Sequence, residues 1–155
     1  NIVEGLLKKP VDINAKVGPD GKNALIAAAT NGNHAIVKLL LEHGAELEGK
    51  CAGRTALMCA IMRTQCETVE LLLNAKANIE TRNEDNQTPL ISACIVGNVQ
   101  IATLLIDKGA DINAEQSTMP TAHTSWNALY WAITCKNLEC IDLLVSKGAV
   151  AENKA

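Results

Sequence analysis

The stretch Asn83–Ala114, NEDNQTPLISACIVGNVQIATLLIDKGADINA, decides how the chain is read. Its tetrad Thr88-Pro89-Leu90-Ile91, followed by Ala93 and Gly97-Asn98, returns in altered form at Asn23-Ala24-Leu25, Thr55-Ala56-Leu57 and Asn127-Ala128-Leu129. The aligned leucines stand 32, 33 and 39 residues apart. A second signature, Leu39-Leu40-Leu41, Leu71-Leu72-Leu73, Leu104-Leu105-Ile106 and Leu143-Leu144-Val145, keeps the same three steps. Two independent motifs with one set of spacings, a period near 33 and a T-P-L-x-x-A core, are the mark of a stacked solenoid. The last step carries an insertion of six residues, in the Ser- and Thr-rich stretch Glu115–Ser125 that contains Pro120.

Leucine triplets with an apolar residue three or four positions earlier, such as Ile36-Val37 before Leu39-Leu40, follow the helical period rather than strand alternation. A helix of this kind buries its apolar face only against a neighbour. Gly44, Gly109 and Gly148 fall just past the leucine-rich helix, where a left-handed residue closes the last turn without a Cβ penalty. The other helix is rich in alanine (Ala27-Ala28-Ala29, Ala60, Ala93, Ala132), whose small side chain allows close approach and whose helix propensity is high. Thr55 and Thr88 are placed to cap it, and Pro89 stands where a first-turn proline is tolerated.

These residues resemble the ankyrin repeat family over essentially the whole chain. The resemblance implies an all-α repeat solenoid in which each unit is a β-turn finger followed by two antiparallel helices. A partial repeat is expected over residues 1–17, four full repeats at about 18–49, 50–82, 83–114 and 115–149, and the start of another loop at 150–155. The chain therefore reads as one repeat domain cut from a longer array or a multidomain parent. Repeat two departs most from the pattern. Thr64 stands where Gly32 and Gly97 lie, and Lys76 takes the slot of Gly44, Gly109 and Gly148, as Pro10 does in the partial repeat. A lysine there must accept a left-handed backbone, at about 1 kcal/mol, or shift the turn.

Composition carries no sign of chemistry. At 155 residues the chain is long enough to bury about 70% of its unfolded surface. Its net charge is −3, and 14 Lys and Arg are spread along the length, so the basic stripe that binds phosphate backbones is missing from the sequence. No apolar run reaches the roughly 18 residues of a membrane span. Cys51, Cys59, Cys66, Cys94, Cys135 and Cys140 form no C-x-x-C pair, and most fall where other repeats carry small apolar residues, so six free thiols are expected. His34, His43 and His123 lie in different repeats. With no nucleophile elbow, phosphate loop or H-E-x-x-H, the chain reads as non-catalytic, with no cofactor and no metal.

The resemblance also says where a partner would sit: on the finger tips and the outward ends of the first helices. By register these are Asp20, Lys22, Arg54, Glu84, Asp85, Gln87, His123, Thr124 and Trp126 on the fingers. The helix ends supply Thr30 and Asn31, Met62 and Arg63, Ile95 and Val96, and Thr134 and Cys135. The chain has no phenylalanine, and its aromatics, Trp126, Tyr130 and Trp131, all crowd the first helix of the last repeat. Aromatics bury large area with few rotors and concentrate at binding hot spots. Trp126 replaces the polar Lys22, Arg54 and Gln87, and is read as a contact residue. Tyr130 takes the place of the family's histidine, which ties finger to helix, and Trp131 that of Ala27, Cys59 and Ser92. Both are candidate contacts with core packing as the competitor.

The leading expectation is a monomeric, cytoplasmic or nuclear protein-recognition scaffold that binds a protein or peptide, not nucleic acid or membrane. A nucleotide-like small-molecule sensor and an array that spaces or regulates a catalytic domain are the alternatives. Finally, Asp12-Ile13-Asn14 and Asp111-Ile112-Asn113 resemble the asparagine sites hydroxylated in many ankyrin proteins, with Leu6 and Leu105 eight residues upstream.

Overall fold

The computed structural model describes Gly5, residues 12–116 and residues 126–150. Pro10, Leu6, His123 and Thr124, and the expected loop beyond Val150, lie outside the described residues. Among these residues the chain forms eight helices and one short hairpin: α1 (Ala24–Thr30), α2 (His34–Glu42), β1 (Lys50–Cys51), β2 (Arg54–Thr55), α3 (Ala56–Met62), α4 (Cys66–Asn74), α5 (Pro89–Val96), α6 (Val99–Asp107), α7 (Ala128–Thr134) and α8 (Leu138–Ser146). They fall into two compact units, residues 1–78 and 79–155. Each unit is built from the same helix pairs.

In every pair the first helix starts on a side-chain cap. Asn23, Thr55, Thr88 and Asn127 accept from the N–H of Ile26, Met58, Ile91 and Tyr130, satisfying donors that a helix start leaves open. Asn does this work in the first and last full repeats and Thr in the middle two. In the first unit, Leu25, Ile26 and Ala29 of α1 and Leu57, Met58 and Ile61 of α3 are buried, backed by Val37 and Leu40 of α2 and Val69 and Leu72 of α4. The second unit buries Leu90, Ile91 and Cys94 of α5, Ile101 and Leu105 of α6, Leu129 of α7 and Leu144 of α8. Each such Leu or Ile contributes roughly 1.5–3 kcal/mol on leaving water.

All eight helices end alike, on a left-handed residue followed by a residue whose N–H reaches back to the carbonyl five positions earlier. This closure satisfies the last carbonyls of the helix. Examples are Ala45 N–H to Leu40 O (3.0 Å), Ala77 N–H to Leu72 O (3.0 Å) and Ala110 N–H to Leu105 O (3.0 Å). Glycine fills the left-handed position at Gly32, Gly44, Gly97, Gly109 and Gly148, whereas Thr64 (φ 54°), Lys76 (φ 71°) and Lys136 (φ 59°) fill it with a Cβ. Of the two outcomes open at Lys76, the chain adopts the strained backbone and keeps the turn in register.

Candidate functional site

In the first unit the fingers are antiparallel turns. Val17 pairs with Lys22, and β1 pairs with β2 so that Lys50 faces Thr55 and Cys51 faces Arg54. Ala52 N–H donates to Asp20 O at 3.2 Å and ties the first finger to the second. Asp20, Lys22, Asn31 and Arg63 are exposed, Arg54 is half-buried, and Met62 leaves 44% of its surface open. Lys22, Arg54 and Thr30 gather around Cys59. Burial raises the Cys59 thiol, and a Thr30 hydrogen bond and the charges of Arg54 and Lys22 only partly offset it. Cys59 thus stays a neutral thiol beneath a rim that is basic apart from Asp20. This is a charged, partly apolar surface.

The second unit differs. Its finger is a tight turn in which Asn86 (φ 59°) is left-handed, Asn86 N–H meets Asn83 O at 3.0 Å, and the Asn83 side chain holds both the N–H (2.8 Å) and the Oε1 (3.0 Å) of Gln87. Gln87 is therefore occupied inside the finger and half-buried, while Glu84 and Asp85 are exposed at its tip. Val96 is half-buried near the end of α5. Arg82 reaches across with Nη1 donating to Asn86 O and Glu115 O, each at 2.8 Å.

The three aromatics form one cluster. Trp126 and Tyr130 lie nearly parallel, 9° apart with centroids at 5.8 Å, and Trp131 stands edge-on to both at 6.2 and 5.7 Å. Stacked and edge-to-face pairs at these distances are the favoured arrangements. Trp131 Nε1 donates to Gln116 Oε1 at 2.6 Å, and Gln116 Nε2 donates onward to Asp85 O at 2.6 Å. Gln116, with 6% of its surface open, is the hidden link between the aromatic cluster and the acidic finger tip. The bulk that Trp131 adds over Ser92 and Cys59 is thus anchored beneath the finger. At the family's histidine position Ile26, Met58 and Ile91 are buried, whereas Tyr130 is 40% exposed and stacks on Trp126.

Sequence reasoning missed Gln116, because it lies in the insertion where no register points to it. It also missed a ladder along the loops that follow the second helices. Asn14 Oδ1 accepts from Glu46 N–H (2.8 Å) and Glu48 Oε1 from Asn78 N–H (2.7 Å). In the second unit, Glu80 Oε1 accepts from Asp111 N–H (2.8 Å) and Asn113 Oδ1 from Val150 N–H (3.0 Å). The signal was present as a side-chain oxygen at one register position in every repeat. The two asparagines singled out for hydroxylation, Asn14 and Asn113, are the amide members of this ladder.

All six cysteines are free, but only Cys94 and Cys140 are buried, and Cys135 is exposed. The hydrogen bond between Cys94 and Cys140, then burial, pushes the Cys94 thiol far above the ordinary range. The same hydrogen bond lowers the Cys140 thiol, and both side chains are buried in the second unit. No cluster of three or more His, Cys, Asp or Glu able to hold a metal occurs among the described residues. None of the described helices is long and apolar enough to cross a membrane.

Comparison with known proteins agrees with this geometry. The family of ankyrin repeats (3 copies) matches residues 1–83 and again 75–155. The chain belongs to the ankyrin repeat family. An ankyrin repeat protein of fowlpox virus is 35% identical over 150 residues, covering 94% of this chain and 43% of that protein. The ankyrin repeat and KH domain-containing protein mask-1 of Caenorhabditis elegans is 37% identical over 156 residues, 99% of this chain but 6% of its own length. Human ankyrin repeat and SOCS box protein 16 is 40% identical over 91 residues, 57% of this chain and 20% of that protein. The chain thus spans less than half the length of these relatives. Ankyrin repeats are in general protein–protein interaction modules, and proteins of this family are generally non-catalytic adaptors.

Proposed function

We propose that this ankyrin module is a non-catalytic scaffold, monomeric and confined to the cytoplasm or nucleus, that holds a protein or peptide partner on the finger tips and outward ends of the first helices. One observation carries the reading. In each unit the first helices bury their leucines completely, yet the finger and helix-end positions Asp20, Lys22, Asn31, Met62, Arg63, Glu84, Asp85 and Tyr130 stay exposed. A surface of polar, charged and aromatic groups on a rigid support loses little conformational freedom on binding.

The test is selection of binders from a random peptide library, followed by affinity measurement on variants. Arg63→Ala, Met62→Ala and Trp126→Gln should each weaken at least some selected peptides tenfold or more, about 1.4 kcal/mol. Substitutions on the outer side of the second helices, such as Lys38→Ala and Glu70→Ala, should leave affinity unchanged. Binders that ignore the first set and respond to the second would overturn the assignment of the surface.

A further inference from the structure

We infer that the aromatic cluster and finger tip of the second unit form a docking surface for a cationic peptide segment, one that places an arginine or lysine over the outer face of the Trp126–Tyr130 stack. The inference rests on the scaffold reading above and names the chemistry of the partner for this unit. The ring centroids lie 5.7–6.2 Å apart, so the rings pack against one another, and Tyr130, 40% exposed, presents aromatic surface to solvent. Aromatic faces carry the negative part of the ring quadrupole and attract ammonium and guanidinium groups. Trp131, fixed through its N–H to Gln116, stands edge-on to both rings.

Charge points the same way. Gln116 bonds both Trp131 and the backbone carbonyl of Asp85, which ties the cluster to the finger tip that carries the exposed Glu84 and Asp85. Neither carboxylate has an ion-pair partner among the described residues. The basic side chain at this finger, Arg82, commits Nη1 to two backbone carbonyls. The candidate residues of this unit, Glu84, Asp85, Gln87, Val96, Trp126, Tyr130 and Trp131, include no Lys or Arg. Residues 79–155 carry nine acidic against five basic side chains, whereas residues 1–78 carry eight against nine. Opposite charge on the partner both speeds encounter and selects against acidic competitors.

Both tryptophans of the chain lie in this cluster, so intrinsic fluorescence reports on it directly. The probe is a ten-residue peptide alternating arginine with glycine, titrated at low and at physiological salt, with its glutamate counterpart as control. A saturable fluorescence change with the arginine peptide alone is expected. Tyr130→Ala and the double variant Glu84→Gln/Asp85→Asn should each weaken it at least fivefold, while Glu139→Gln/Asp142→Asn should not. Equal binding of both peptides, or equal loss with the two charge variants, would overturn the inference by reducing it to diffuse charge. Peptides from the library that bind the module without basic residues, together with no response here, would sink the cationic partner while leaving the scaffold reading standing.

Discussion

The second and third repeats close their helices with the same backbone hydrogen bonds, but the second does so on Thr64 (φ 54°) and Lys76 (φ 71°) and the third on Gly97 (φ 73°) and Gly109 (φ 93°). A residue with a Cβ in that conformation costs roughly 1–2 kcal/mol, so repeat two holds two such penalties that repeat three avoids. Repeat two also buries Thr68 in α4 with no partner for its hydroxyl, where repeat three has Ile101 and repeat four Cys140. An unmatched buried hydroxyl costs about 1–3 kcal/mol. Despite this, both repeats bury the same register of leucines. Packing of Leu57, Ile61, Val69 and Leu72 sets the backbone, and the local sequence conforms to it.

Making the strong repeat resemble the weak one should have the largest effect. Gly97→Thr puts a Cβ at a left-handed residue and against the Asn137 side chain, whose Oδ1 would lie 2.7 Å away. Asn137 donates from Nδ2 to Cys94 O at 2.6 Å and Ile95 O at 3.3 Å, and must give way. The expected loss is about 2–3 kcal/mol by urea denaturation. A loss under about 0.5 kcal/mol, the size of an ordinary surface change, would show that Asn137 moves freely and that the comparison misjudges the third repeat.

Repair of the weak repeat should move stability the other way by smaller steps. Thr68→Val keeps the shape and removes the orphaned hydroxyl, and should stabilise by about 1 kcal/mol. Destabilisation instead would mean that the hydroxyl finds a partner in solution. Lys76→Gly relieves the strained turn but frees the unfolded chain, so a gain of about 0.5–1 kcal/mol is expected, seen as a raised melting temperature. An unchanged or lower value would show that the lysine occupies this conformation without strain.

The sequence made the helix pairs, their caps and their ends legible because period, cap and left-handed residue are all local signals. Thr55, Thr88 and Gly97 could be placed without knowing what packs on them. The aromatic cluster was legible as a concentration of Trp126, Tyr130 and Trp131, but its geometry was not. The exposure of Tyr130 depends on what covers α7, and the anchoring of Trp131 depends on Gln116, a residue in an insertion without register. Long-range partners of this kind leave no mark in the spacing of a single chain.

The side-chain ladder through Asn14, Glu48, Glu80 and Asn113 has a consequence for amide hydrogen exchange. Three of the amides it holds, at Glu46, Asn78 and Asp111, sit on exposed residues in loops outside any helix or strand, where exchange with solvent is ordinarily fast. Each should instead exchange slowly, and Glu80→Ala should release Asp111 while leaving Asn78 protected. In such a spectrum the loops would be read as a string of slow amides, one to a repeat.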